Sequence, residues 1–136
     1  MKVLLVKPFT HPEVVEIEDG LESLQAIVDG TIEAIYPFDD NVCLICNDEG
    51  KLLNLDLNRA LYDDENAYDV IAGNFIVVGI GVEDFCSLTD EQIERYEKRF
   101  HQPEMFLQID QHIVVLPLAD EDVEYRKEKS DDENMD

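Results

Sequence analysis

The chain has 136 residues, 45% of them hydrophobic, and sets 33 Asp plus Glu against 10 Lys plus Arg, a formal net charge of −23. Charge of that sign and density repels nucleic acid and acidic membrane surfaces and favours partners with basic patches. The length suits one domain, and no apolar run reaches the ~18–20 residues of a membrane helix.

The opening MKVLLVKPF stops at Lys7-Pro8 without a small-residue cleavage site, so it reads as a buried strand rather than a signal peptide. Lys2–Lys7 is apolar on both faces, as in a central strand, while Val15 and Ile17 alternate with Glu16 and Glu18 in a half-buried one. A turn at His11-Pro12 would join the two as a hairpin. Asp19 and Glu22 have the spacing of a capping box; Leu21, Leu24, Ile27 and Val28 then share one helical face, and Gly30 ends the segment. Thr31–Phe38, Asn41–Asn47 and Leu52–Leu57 follow as a three-stranded meander, with a turn at Asp48-Glu49-Gly50.

Residues 58–74 lack a clean period and hold the densest acid cluster of the body, which places them in a surface loop or short helical turn. Phe75–Ile80 is a fully buried strand by its composition. Thr89 with Gln92 makes a second capping box, and acids at the first turn with Lys98-Arg99 at the last match the dipole of a helix over 89–100. Its Ile93, Tyr96 and Phe100 lie on one face, opposite the carboxylates of Asp90, Glu94 and Glu97. Ile113–Leu116 marks a last strand before Pro117. The expected fold class is α+β, mainly antiparallel sheet with two short amphipathic helices, in one acidic domain at 1–119 followed by a disordered acidic tail at 120–136. That tail holds nine acids and three bases, so residues 1–119 keep a net charge of −17 and the body itself is acidic.

Catalytic and metal signatures are weak. Cys43 and Cys46 have C-x-x-C spacing without a second ligand pair, and three steps along a strand send the two sulfurs to opposite faces, so both read as small buried hydrophobes. With Cys86 they make three cysteines without a framework spacing, which fits a reducing cytoplasm. Cys86 lies near a helix start, but Glu83 and Asp84 stand beside it and no His is near in sequence to act as a base. His11, His101 and His112 are scattered, and none has a metal-binding i, i+4 partner, so they read as surface or structural residues. Gly79 and Gly81 lack the third glycine of a dinucleotide loop and face Glu83-Asp84, so close packing explains them better. Asp39-Asp40 and Asp63-Asp64-Glu65 lack the alternation of a calcium loop. The polar group that stands out is Asn58-Arg59-Ala60-Leu61-Tyr62, a solitary Arg among acids. Arg59 either pairs with Asp56 or Asp63 to pin the loop, or clamps an anionic ligand together with Asn58 and Tyr62.

The words IEAIYPFDD (32–40), ICNDEGKL (45–52), NRALY (58–62), DVIAGNFIVVG (69–79) and DFCSLT (84–89) together resemble a domain-of-unknown-function family. The family consists of small acidic proteins carried by phages, plasmids and conjugative elements of mostly Gram-positive gut bacteria. The resemblance covers roughly residues 1–100, implies no catalytic residues, and points to a role in defeating host defence or in element maintenance.

Charge and resemblance together lead us to expect a non-enzymatic, cytoplasmic binding protein, without metal or cofactor, that presents carboxylates to a basic site on a nucleic-acid-handling or defence protein of the host. It would act as a DNA mimic rather than touch nucleic acid or membrane directly. The candidate partner-binding residues are Asp63, Asp64, Glu65, Asp69, Asp90, Glu94 and Glu97. Two alternatives stand beside this expectation. One is a small-ligand or nucleotide-sequestering pocket at Asn58, Arg59 and Tyr62; the other is a structural adaptor whose acidity serves solubility. A homo-oligomer is compatible with each of them.

Overall fold

The computed structural model describes residues 1–123. The strongest runs of β-branched and aliphatic residues make the middle of an antiparallel sheet: β1 (Lys2–Val6), β4 (Val42–Asn47) and β7 (Phe75–Ile80). Two edge strands, β2 (Glu13–Glu16) and β3 (Ile32–Ile35), complete the order β2-β1-β7-β4-β3, and the short β8 (Phe85–Cys86) turns back on β7. In such strands successive side chains point to opposite faces, so each central strand feeds two cores.

On one face Val3, Leu5, Cys43, Ile45, Ile76 and Val78 pack under α1 (Leu21–Val28), which contributes Leu24 and Val28. On the other face Leu4, Val6, Leu44, Phe75 and Val77 meet α2 (Asp90–Phe100) through Tyr96 and Phe100. The hairpin β5 (Leu57–Asp63) and β6 (Asn66–Ala72) adds Leu61 and Ile71 to this second core. A further hairpin, β9 (Glu104–Ile109) and β10 (His112–Pro117), stands beyond β5. The fold is α+β and mainly antiparallel, as expected.

Several local expectations hold. Thr89 Oγ1 accepts from Gln92 N–H while Gln92 Oε1 accepts from Thr89 N–H, so the capping box of α2 is complete. Cys43 and Cys46 belong to opposite cores, and burial pushes each thiol up to about 11. Gly79 and Gly81 allow the return of β8: a Cβ on Gly79 would lie 2.8 Å from Ser87 O, and one on Gly81 2.7 Å from Asp84 O.

Three local expectations are corrected. Residues 58–74 are not a loop or helical turn but most of the β5–β6 hairpin; register shifts after Leu57 and after Leu61 break the two-residue period that would have marked a strand. Leu52–Leu57 is not a strand. The chain there coils in turns, with Leu53 N–H bonded to Glu49 O and Leu55 N–H to Gly50 O, and β4 takes β7 as its second neighbour. The Asp19–Glu22 capping box does not form; Gly20 is the N-cap without a side-chain bond, and Asp19 lies 3.5 Å from the Met1 amine. Of the tail expected at 120–136, residues 120–123 form a helical turn with Val123 buried, and the remainder lies outside the described residues.

Candidate functional site

The bulge in β5 turns Asn58 and Arg59 into the protein, where they are 0% and 1% exposed. Guanidinium has five N–H donors, and here all five are engaged. Nε and Nη2 donate to Phe100 O at 3.1 and 2.9 Å, Nη2 also to Thr10 O at 2.6 Å, and Nη1 to Asn58 O and Oδ1 at 3.3 and 3.0 Å. Phe100 ends α2, so the cation caps the negative end of the helix dipole while its carbonyl gains the donor it lacks. Asn58 Nδ2 donates to Val6 O at 2.9 Å and Gly73 O at 2.8 Å, joining the end of β1 to the link between β6 and β7. Burial lowers the Arg59 pKa to about 10 while the Glu104 charge opposes that shift, so the group stays charged at neutral pH. The expected pairing with Asp56 or Asp63 is not what holds it: backbone carbonyls and Asn58 do.

Beside this knot lies an open cleft of about 590 Å³, lined among others by Tyr62, Asp64, Arg99, Gln102, Glu104 and Val115. Glu104 on β9 accepts from Ala60 N–H and from the Tyr62 hydroxyl, both at 3.0 Å, and so stitches β9 to β5. Burial, then the Glu104 charge and hydrogen bond, raise the Tyr62 pKa. On the far side of α2, Asp40 accepts from the Tyr96 hydroxyl at 2.8 Å, from Asn41 N–H at 2.7 Å and from Arg95. The Tyr96 bond leads these in holding the Asp40 carboxyl below its usual range, against the cost of burial. Among the described residues no three His, Cys, Asp or Glu side chains converge to hold a metal ion.

The sequence of residues 1–101 matches the family described as Domain of unknown function (DUF3846). The chain belongs to that family. No curated protein and no solved structure matches it. The matched region of this DUF3846 protein spans the whole five-stranded order, both helices and the β5–β6 hairpin, and ends before β9.

The seven candidate partner-binding acids fall on one layer of this DUF3846 protein, carried by the β5–β6 hairpin and α2. Asp63, Asp64 and Glu65 are exposed at the hairpin tip, where Asp64 takes a left-handed φ of 56°. Asp69 is half-buried and bound by Lys51 at 2.6 Å. On α2, Asp90 and Glu94 are exposed, whereas Glu97 is within 2.7 Å of His101 Nδ1, and Arg95, Lys98 and Arg99 interrupt the carboxylate line. A second acidic region lies outside these seven residues: between Lys7 and Lys51 there are eleven Asp and Glu and no Lys or Arg. That run supplies both edge strands and α1, and a count of bases along the chain would have found it.

Proposed function

We propose that this protein is a non-enzymatic binding protein of a mobile element, whose carboxylates engage a basic site on a host protein that handles or defends nucleic acid. One observation carries the reading. Among the described residues the buried polar or charged side chains are Asn47, Asn58 and Arg59, so the single buried charge is a cation and every described carboxylate lies at least partly at the surface. Burial of Arg59 withdraws a base from the exterior, and the acids there, relieved only in part by Lys51, Arg95, Lys98 and Arg99, set up a negative field that speeds encounter with a basic surface. The three carboxylates at the β5–β6 tip are exposed on a stem whose Leu61 and Ile71 are buried in the core, and they contribute three adjacent charges to that field. Spaced carboxylates of this kind can stand in for phosphates in a DNA-binding cleft.

The small-ligand reading loses its anion clamp, because the five donors of Arg59 and the amide of Asn58 are spent inside the fold. The test is capture from host lysate on the immobilised protein, with salt-gradient elution and identification by mass spectrometry. A second column carries a variant in which Asp63, Asp64, Glu65, Asp69, Asp90, Glu94 and Glu97 are replaced by their amides. A DNA- or RNA-binding protein held by the first column, released by rising salt and absent from the second supports the proposal. No specific partner, or equal recovery on both columns, overturns it.

A further inference from the structure

The β9–β10 hairpin is a sheet of its own, paired in the register Met105↔Leu116, Leu107↔Val114 and Ile109↔His112 on one face. The opposite face carries Glu104↔Pro117, Phe106↔Val115 and Gln108↔Ile113. Glu104 bonds to β5 and Val115 lines the cleft beside Arg59, so the base of the second face is turned to the body, while Ile113 near the tip of that face is 55% exposed. Strand periodicity then turns the first face outward. Apart from His112 its residues are apolar all the same: Leu107, Ile109 and Leu116 are 42%, 54% and 40% exposed, with Met105 and Val114 half-buried beside them. Two-stranded hairpins are marginal alone, and an apolar outward face on one asks for a cover.

The charges around this face say what the cover is. Asp110 stands at the hairpin tip, Asp120, Glu121 and Asp122 follow its base, and from Phe100 to Val123 there is no Lys or Arg. A second copy would bring its own −23 against this acidic rim. The exposed apolar area is a few hundred Å², an ordinary functional patch, against the ~800 Å² per partner that stable complexes bury. Apolar contact therefore needs help from attraction, which a like-charged copy cannot give and a basic partner can.

We infer that the outer face of the β9–β10 hairpin docks a partner segment with an apolar stripe bordered by Lys and Arg. This deepens the proposed function, on which it rests, by separating two parts of the surface. The acidic field draws the partner in, and the Met105, Leu107, Ile109, Val114 and Leu116 face retains it. The hairpin lies beyond the residues matched by the family, so the docking face is an addition to the DUF3846 domain.

The experiment measures binding of the full chain to two labelled peptides of equal charge, an amphipathic helix of leucine and lysine and a lysine–glycine peptide, by fluorescence anisotropy. The wild type is compared with the double variant Leu107→Ser, Ile109→Ser, whose folding is checked by thermal melting. The inference expects the amphipathic peptide to bind about tenfold tighter than the lysine–glycine one. It also expects the double variant to lose that excess while binding the lysine–glycine peptide as before. An excess that survives the substitutions, or no excess in the wild type, overturns the docking face alone. If neither peptide shows salt-sensitive binding, the acidic-field reading fails as well. Two further outcomes also overturn the inference: a wild-type dimer in sedimentation that the variant dissolves assigns the face to a second copy, and variant-sensitive binding to neutral vesicles assigns it to lipid.

Discussion

The two hairpins outside the main sheet are anchored in opposite ways. β5–β6 is fixed from within: its stem buries Asn58 and Arg59, whose donors reach Val6, Thr10, Gly73 and Phe100, so four separate parts of the chain meet on two side chains. β9–β10 is fixed from one side, through Glu104 on Ala60 and Tyr62, and leaves an apolar face outward. A polar knot in the core ties the stem of the first hairpin to the fold and leaves the acids at its tip exposed. The second hairpin keeps its stickiest side for something else.

Substitutions should separate the two modes of anchoring. The largest effect is expected at Arg59→Met. It leaves buried acceptors at Phe100, Thr10 and Asn58 without donors, at ~1–3 kcal/mol each, so urea unfolding should show a loss of about 3–5 kcal/mol. Arg59→Lys, with three donors instead of five, should recover only part of it. Glu104→Gln is the matching test on the other hairpin and should cost only about 1 kcal/mol, because β9 loses a charged acceptor but no core knot. The same change should bring Tyr62 back toward an ordinary phenol in a UV titration read against Tyr62→Phe, with burial still holding it somewhat high.

A smaller effect is expected at Asp40. Its folded pKa is depressed, so its contribution is present above the ordinary carboxylate range and is lost as pH falls through the folded value, below about pH 4. Asp40→Asn should flatten that acid limb in pH-dependent unfolding by about 1 kcal/mol or less. The smallest stability change belongs to the Leu107→Ser, Ile109→Ser pair, expected within about 0.5 kcal/mol of wild type by thermal melting, since exposed side chains give up little on the folded side. A large loss there would mean the face is already covered from within the chain.

The contrast also shows which physics is legible in a sequence. β1, β7 and α2 declare themselves because period and capping agree: Thr89 with Gln92, and Phe75 to Val78 without a polar residue. The sheet order does not show, since β1 and β4 both find β7 far along the chain. β5–β6 is hidden for a different reason. A bulge and two buried polar residues imitate a loop, and only the carbonyls of Phe100 and Thr10 explain why an Arg belongs inside. For the candidate site, the acids at 63–65 were readable as exposed, whereas the engagement of Asp69 by Lys51 and of Glu97 by His101 depends on contacts made across the fold or around a helix turn. The strand β10 was visible in Ile113–Leu116; its partner β9, and the open face they share, appear only when the pairing is known.

The central claim, that the carboxylate surface occupies a nucleic-acid-binding site on its partner, is tested most directly by competition. The partner captured by the full chain is challenged with duplex DNA and with an equal charge of a simple polyanion such as polyglutamate. Displacement by DNA at far lower concentration than by polyglutamate is the predicted result. A partner that binds the protein and DNA at the same time, with neither displacing the other, would contradict the account.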